Sequence, residues 1–199
     1  MTAGPFSKEA GMSELRADAA RNHAAILRVA DDLLQAASAP ADVSMEAVAS
    51  AAGVAKGTLF RRFGDREGLI SAVVAERMRP LKEAIESGPP PLGPDAPPAE
   101  RILAILDAIV VFKTGTVTLH MADESSRTSP YTTSIYAYVH ELMTRLLMAA
   151  GADVDADLTA HLLLSPTRAD FIAHLLRTQQ RSPDEIRALV ARNARSLMT

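Results

Sequence analysis

The stretch Val43–Leu69, VSMEAVASAAGVAKGTLFRRFGDREGL, constrains this chain more than any other, because it carries start and stop signals for three consecutive helices. Ser44 is an N-cap, its hydroxyl placed to accept a hydrogen bond from an orphan amide of the first turn. Met45, Val48, Ala49 and Ala52 then recur at three- and four-residue steps and give one small apolar face. Gly53 stands where that helix must stop, since the left-handed backbone of a helix end suits glycine without strain. A second helix begins at Ala55, with Leu59 and Phe63 on one face and Lys56, Thr58, Phe60, Arg61 and Arg62 on the others. Gly64 ends it, Asp65 caps a third helix, and Glu67 places a negative charge in that helix's positive first turn.

Two short helices meeting through a glycine turn have the geometry of a helix-turn-helix, whose second helix enters the major groove of DNA. From Val54 to Arg66 the bases Lys56, Arg61, Arg62 and Arg66 stand against the single acid Asp65, a local charge of 4 − 1 = +3 that suits phosphate. A glycine-hinged pair of alanine-rich helices also serves as plain bundle architecture, and a basic helix face is often merely solvated. Periodicity and charge leave both readings open.

The same residues resemble the TetR family of bacterial transcriptional regulators. The family pattern G-V-x-K-G-T-L-[YF]-x-x-F-x-x-[KR]-[ED]-x-L stands here as Gly53, Val54, Lys56, Gly57, Thr58, Leu59, Phe60, Phe63, Arg66, Glu67 and Leu69, within a resemblance that covers roughly a quarter of the chain. It implies an all-α fold: an N-terminal three-helix helix-turn-helix domain, then a helical ligand-binding and dimerisation domain, about nine helices in all. Position 60 is Phe where Tyr is frequent, which removes a hydroxyl that could reach a phosphate and leaves apolar contact.

Resemblance and geometry together nominate the DNA-facing set. Lys56 and Thr58 lie early in the second helix, the amine suited to guanine and the threonine methyl to thymine. Ala55 and Gly57 flank Lys56, and Gly57 permits close backbone approach. Ser44, Arg61, Arg62 and Arg66 are candidates for phosphate, which fixes register without reading sequence. Arg21, on the polar side of the first helix, occupies a place that commonly touches phosphate in the family; a solvent-exposed arginine is the alternative. Leu59 and Phe63 are expected in the core.

A net charge of −3 argues against a protein that coats DNA by bulk charge, so contact has to be local. The chain has no cysteine, which excludes disulfides and a Cys-based zinc site. No run of eighteen apolar residues and no leader pattern are found, so neither a membrane span nor export is expected, and the location expected is cytoplasmic. Abundant alanine, 4% aromatic residues and no alternating strand pattern favour helices throughout.

Residues 1–13 are expected as a mobile arm, followed by a first helix from about Ser13 or Asp18 to Ala37. Residues 14–79 form the DNA-binding domain with its linking fourth helix, which runs to about Ser87 and is expected to kink or break near Arg79, because Pro80 removes a backbone donor. The second domain spans 80–199, and its entry, 87–98, holds six of the twelve prolines and reads as a linker. Helix 5, Ala99 to Thr114, is apolar nearly all round and so should be central. A short helix near Val117–Glu124, one from Pro130 to Ala150, and an eighth from Asp155 to about Gln179 with Pro166 inside it follow. Ser182, Pro183, Asp184 and Glu185 open the last.

Within the second domain, Phe112, His120, Met121, Tyr136, Tyr138, His140, Met143, His161, Phe171 and His174 are bulky or polar residues set among apolar helices, suited to a small organic effector. Core packing or a solvated surface is the alternative for each. His120 with Asp123 and Glu124 could hold a metal but is thin support for one, so no metal and no other cofactor is expected. The partners expected are double-stranded operator DNA, a second copy of the chain through the last two helices, and an effector of unknown identity. The function expected is a dimeric repressor released from its operator by a small, mostly apolar effector; control by a protein partner is the alternative. Nothing resembles the nucleophile, paired-acid or phosphate-loop arrangements of an enzyme.

Overall fold

The computed structural model describes residues 6–37, 40–125, 131, 133–151 and 155–198, with the side chains of 6–17 and 124–125 left aside. It is all-α, as expected. The helices are α1 (Phe6–Ala36), α2 (Met45–Ala51), α3 (Lys56–Phe63), α4 (Arg66–Ser87), α5 (Pro98–Gly115), α6 (Val117–Ser125), α7 (Ser134–Ala149), α8 (Ala156–Leu164), α9 (Ala169–Arg177) and α10 (Pro183–Leu197), with 3-10 turns at Pro40–Asp42 and Ser165–Thr167. The chain divides into two compact units between Val73 and Val74, within α4.

In the first unit, Ile26, Leu27 and Ala30 of α1 are buried, as are Val48 and Ala49 of α2, Leu59 of α3, and Leu69, Ile70 and Val73 of α4. α1 begins at Phe6, well ahead of the expected start, and runs through Gly11. One glycine inside a helix costs only about 1 kcal/mol, and Lys8, Glu9, Ala10, Met12, Glu14 and Leu15 around it favour helix. The first five residues of the expected arm lie outside the described residues.

α4 is continuous through Pro80, so the expected break does not occur. Pro80 is exposed, which lets water satisfy the carbonyl left over. Arg79 reaches Glu76 at 3.1 Å and Glu83 at 2.8 Å, spanning the missing backbone bond with a pair of surface contacts.

The second unit is built round α5, as its apolar circumference predicts. Ile102, Ile105, Leu106, Ile109 and Val110 are buried against Val139, Met143 and Leu147 of α7, Leu163 of α8, Ile172 of α9 and Ile186 and Val190 of α10. The proline-rich entry is a folded turn structure: Arg101, buried at the start of α5, donates to the carbonyls of Leu92 at 2.8 Å and Ile85 at 2.6 Å, which satisfies the guanidinium and clamps the segment to the end of α4. Arg187 of α10 grips both carboxylate oxygens of Asp107 at 2.7 and 3.0 Å.

Two expected boundaries move. α7 starts at a Thr133 cap, whose hydroxyl accepts from the amide of Tyr136 at 3.0 Å, and not at Pro130, which lies outside the described residues. The single eighth helix is two, because Pro166 and the extended Arg168 turn the chain through a 3-10 step before α9. The last helix starts as expected, with a full capping box between Ser182 and Glu185. Among the described residues no single helix is long and apolar enough to cross a membrane.

Candidate nucleic-acid interface and effector cavity

The turn between α2 and α3 is set by local hydrogen bonds. Ser44 Oγ accepts from the Ala47 amide at 3.1 Å, fixing the start of α2. At its end the Gly53 amide donates to Ser50 at 3.2 Å and the Val54 amide to Ala49 at 3.0 Å, the paired bonds of a Schellman motif, with Gly53 at φ +65°. Leu59, fully buried, anchors α3. That leaves Lys56, Gly57, Phe60, Arg61 and Arg62 exposed and Thr58 half-buried. Phe63 is half-buried and stacks on His23 of α1, ring centroids 5.4 Å apart.

Gly68 sets how closely α4 approaches α3. A Cβ there would lie 2.0 Å from the carbonyl oxygen of Phe63. Its amide donates to Asp65 Oδ1 at 2.8 Å, so the predicted cap is formed. The sequence reading overlooked Gly68, whose requirement comes from a neighbouring backbone and not from its own φ.

The basic residues are not equivalent. Lys56 is ion-paired with Glu46 of α2, and its ammonium lies 5.5 Å from the centre of the Phe60 ring. The Lys56 hydrogen bond, first among the causes, holds the Glu46 carboxyl below the usual glutamate range. Arg62 Nη2 donates to the Ala19 carbonyl at 3.2 Å, tying α3 to α1. Arg21 is exposed and paired with Asp18 one turn before it. Arg61 is exposed with no partner among the described residues. Arg66 is half-buried and donates from Nε to the Val43 carbonyl at 3.1 Å and from Nη2 to that of Pro40. It braces the 40–43 segment against α4.

In the second unit a cavity of about 100 Å³ is bounded by α4 (Val74, Met78), α5 (Ile109, Lys113), α6 (His120, Asp123), the start of α7 (Thr133, Ile135, Tyr136, Val139) and the 164–168 turn. Of the expected effector residues, His120 and Tyr136 line it. His120 is 3% exposed and its Nε2 has no hydrogen-bond partner among the described residues. Burial first, then the charges of Lys113 and Arg77, push its pKa down to about 3, so the ring is neutral at ordinary pH. Phe112 packs edge-on against it at 4.8 Å. Burial likewise raises Tyr136 to about 12, keeping a protonated hydroxyl.

The other expected residues lie elsewhere. Met121 contacts Arg177 of α9, Met143 is wholly inside the core, and Phe171 and His174 border an outer groove between α9 and α10. Tyr138 is half-buried, and the Lys82 ammonium stands 5.2 Å from its ring centre. His140 gathers with His161 and Asp157 in a separate cluster. Asp157 and His161 are four residues apart on α8, and His140 of α7 supplies the second imidazole.

Comparison with known proteins agrees with this geometry. Residues 26–73 match the family described as bacterial regulatory proteins, tetR family. The HTH-type transcriptional regulator BetI of Stenotrophomonas maltophilia (strain R551-3) is 34% identical over 67 residues, 34% of this chain and 33% of that protein, so the chain spans about a third of the length of the curated relative it matches. Over nearly the whole chain the fold resembles a TetR transcriptional regulator from Rhodococcus sp. RHA1, with TM-score 0.62 and 22% identity, covering 90% of this chain and 96% of that one. It also resembles a TetR/AcrR-family regulator from Thermobifida fusca, with TM-score 0.61 and 21% identity, covering 86% and 95%. With the signature on a capped, glycine-hinged helix pair and the remaining helices in a like fold, the chain has the fold of TetR-type regulators, and residues 26–73 match that family's helix-turn-helix.

Proposed function

We propose that this regulator is a cytoplasmic, dimeric repressor whose α3 reads operator DNA and whose hold on DNA is released by a small effector in the second unit. The observation that carries the effector reading is the cavity beside α4. This helix gives Val74 and Met78 to the cavity wall and Leu69, Ile70 and Arg66 to the reading unit. A ligand that prefers one position of α4 thereby biases the reading helices, which is the differential affinity that release requires.

The cavity is smaller than the roughly 300–1,000 Å³ of drug-sized sites, so an effector has to enlarge it, and the enlarged form is the released one. His120 Nε2 and the Tyr136 hydroxyl supply polar contacts in a largely apolar wall. The effector is therefore a compact apolar molecule with at least one hydrogen-bonding group. A regulator governed by a protein partner would need no such cavity.

On DNA, Thr58 and Lys56 take the base edges, Lys56 by exchanging Glu46 for a guanine. Arg61, Arg62, Ser44 and Arg21 take phosphates, and Ala55, Gly57 and Phe60 supply close backbone and apolar contact. Dimerisation draws support from α8 and α9, where Leu158, Leu162 and Phe171 are 55%, 45% and 40% exposed. Two copies would set their α3 helices about 34 Å apart, on successive major-groove faces.

Selection of the purified protein on random duplexes at physiological salt tests the core of this reading. Enrichment of a palindrome with half-sites one helical turn apart is expected; a monomer with no preference over random competitor overturns it. Val139→Phe, which fills the cavity, should leave operator binding intact and abolish release by an effector found in a thermal-shift screen.

A further inference from the structure

Two imidazoles and a carboxylate converge where α7 meets α8, apart from the cavity interior. Asp157 and His161 share a face of α8 at positions i and i+4, and His140 of α7 stands opposite. The His140 and His161 ring centroids are 4.0 Å apart. His140 Nε2 lies 3.6 Å from an Asp157 carboxylate oxygen and 3.1 Å from the Asp157 carbonyl. One donor atom from each of the three residues lies within 4.8 Å of the other two.

These spacings fit one small cation. Donors bound at about 2.0–2.1 Å on a tetrahedral ion stand roughly 3.4 Å apart, within a modest closure of what is observed. The outer contacts fit as well. His161 Nδ1 is 2.5 Å from the Tyr136 hydroxyl, which orients the ring and leaves Nε2 for the ion, as metal-binding histidines are commonly held. Both histidines are half-buried and Asp157 is exposed, so the cluster has an entry path and room for water in the remaining positions.

We propose that His140, Asp157 and His161 form a binding site for a divalent first-row transition metal of the zinc, cobalt or nickel type, with Tyr136 as the positioning residue. Two imidazoles with one carboxylate suit these ions, whereas magnesium and calcium favour all-oxygen sites. Tyr136 also lines the effector cavity, so the metal and the effector would share a wall residue.

The test uses the full chain, stripped with chelator and titrated with zinc and cobalt alone. Calorimetry should show one zinc per protomer, and bound cobalt should give the intense visible bands of a four- or five-coordinate ion. His140→Ala and His161→Ala should each weaken zinc at least tenfold, Tyr136→Phe about tenfold, and His174→Ala not at all. A pale, six-coordinate cobalt spectrum, or unchanged affinity in the His140→Ala/His161→Ala double variant, overturns the assignment. A measurement on the unmutated protein guards against misfolded variants: zinc should shield His140 and His161, but not His174, from diethyl pyrocarbonate, read by mass spectrometry. Equal modification with and without zinc refutes the site. Operator binding is read in the same samples, and its loss or retention bears on the regulator reading alone.

Discussion

Glu46, in the first turn of α2, holds the ammonium of Lys56, the first residue of α3. The residue proposed to meet a base is thus ion-paired within the free first unit. Glu46→Gln should free it and raise affinity for operator DNA several-fold at low salt, because binding no longer has to break the pair. Lys56→Ala should remove discrimination among operator variants. Binding isotherms on matched and mismatched operators separate the two effects, and unchanged operator affinity in Glu46→Gln would sink the first.

Arg61 and Arg66 are both arginines of the signature region, yet they should fail differently. Arg61→Ala should weaken all duplexes evenly and flatten the salt slope by about 0.9, with stability within about 0.5 kcal/mol. Arg66→Ala removes hydrogen bonds from a half-buried charge to two carbonyls and should cost about 1–3 kcal/mol of stability. Urea melts paired with salt titrations check both assignments.

Gly57 and Gly68 give opposite outcomes for the same substitution. Nothing lies within 4 Å of a Cβ at Gly57, so Gly57→Ala should stabilise the free protein by about 1 kcal/mol while weakening its close approach to DNA. Gly68→Ala drives a methyl into the Phe63 carbonyl and should destabilise by about 2–3 kcal/mol. Equal melting temperatures for the two variants would contradict this packing.

His120 should make stability depend on pH. Its folded pKa lies near 3, below the ordinary value of 6.5, so the unfolded chain takes a proton that the folded chain refuses. Stability from this group is therefore complete above about pH 6.5 and falls as pH drops through the window between the two values, by about 1.4 kcal/mol per unit. Between pH 7 and pH 5 the unmutated protein should lose about 2 kcal/mol more than His120→Leu, as denaturant titrations at each pH would show. Parallel losses would mean that the ring is charged or hydrated in the fold.

The reading unit was legible because its instructions are local. Ser44, Gly53, Gly64 and Asp65 act on backbone within a few residues, and the apolar spacing names Leu59 as buried without reference to distant partners. The cavity was not legible in this way. It draws Met78, Ile109, His120, Tyr136 and Arg168 from five segments, and the sequence cannot distinguish His120, which faces it, from Met143, which is sealed in the core. Asp157 and His161 are intermediate: their spacing on α8 is visible in the sequence, but His140 joins them only through the packing of α7.

The sequence by itself determined the helical class and the cap and hinge positions of the helix-turn-helix, since helix ends and periodicity are governed by neighbours along the chain. Tertiary structure alone decided that Arg66 is a brace, that Gly68 must lack a side chain, that α4 runs on through Pro80, and which polar groups meet in the second unit. Those outcomes depend on surfaces brought together from far along the chain, and the residues concerned carry no local mark of which neighbour they will meet.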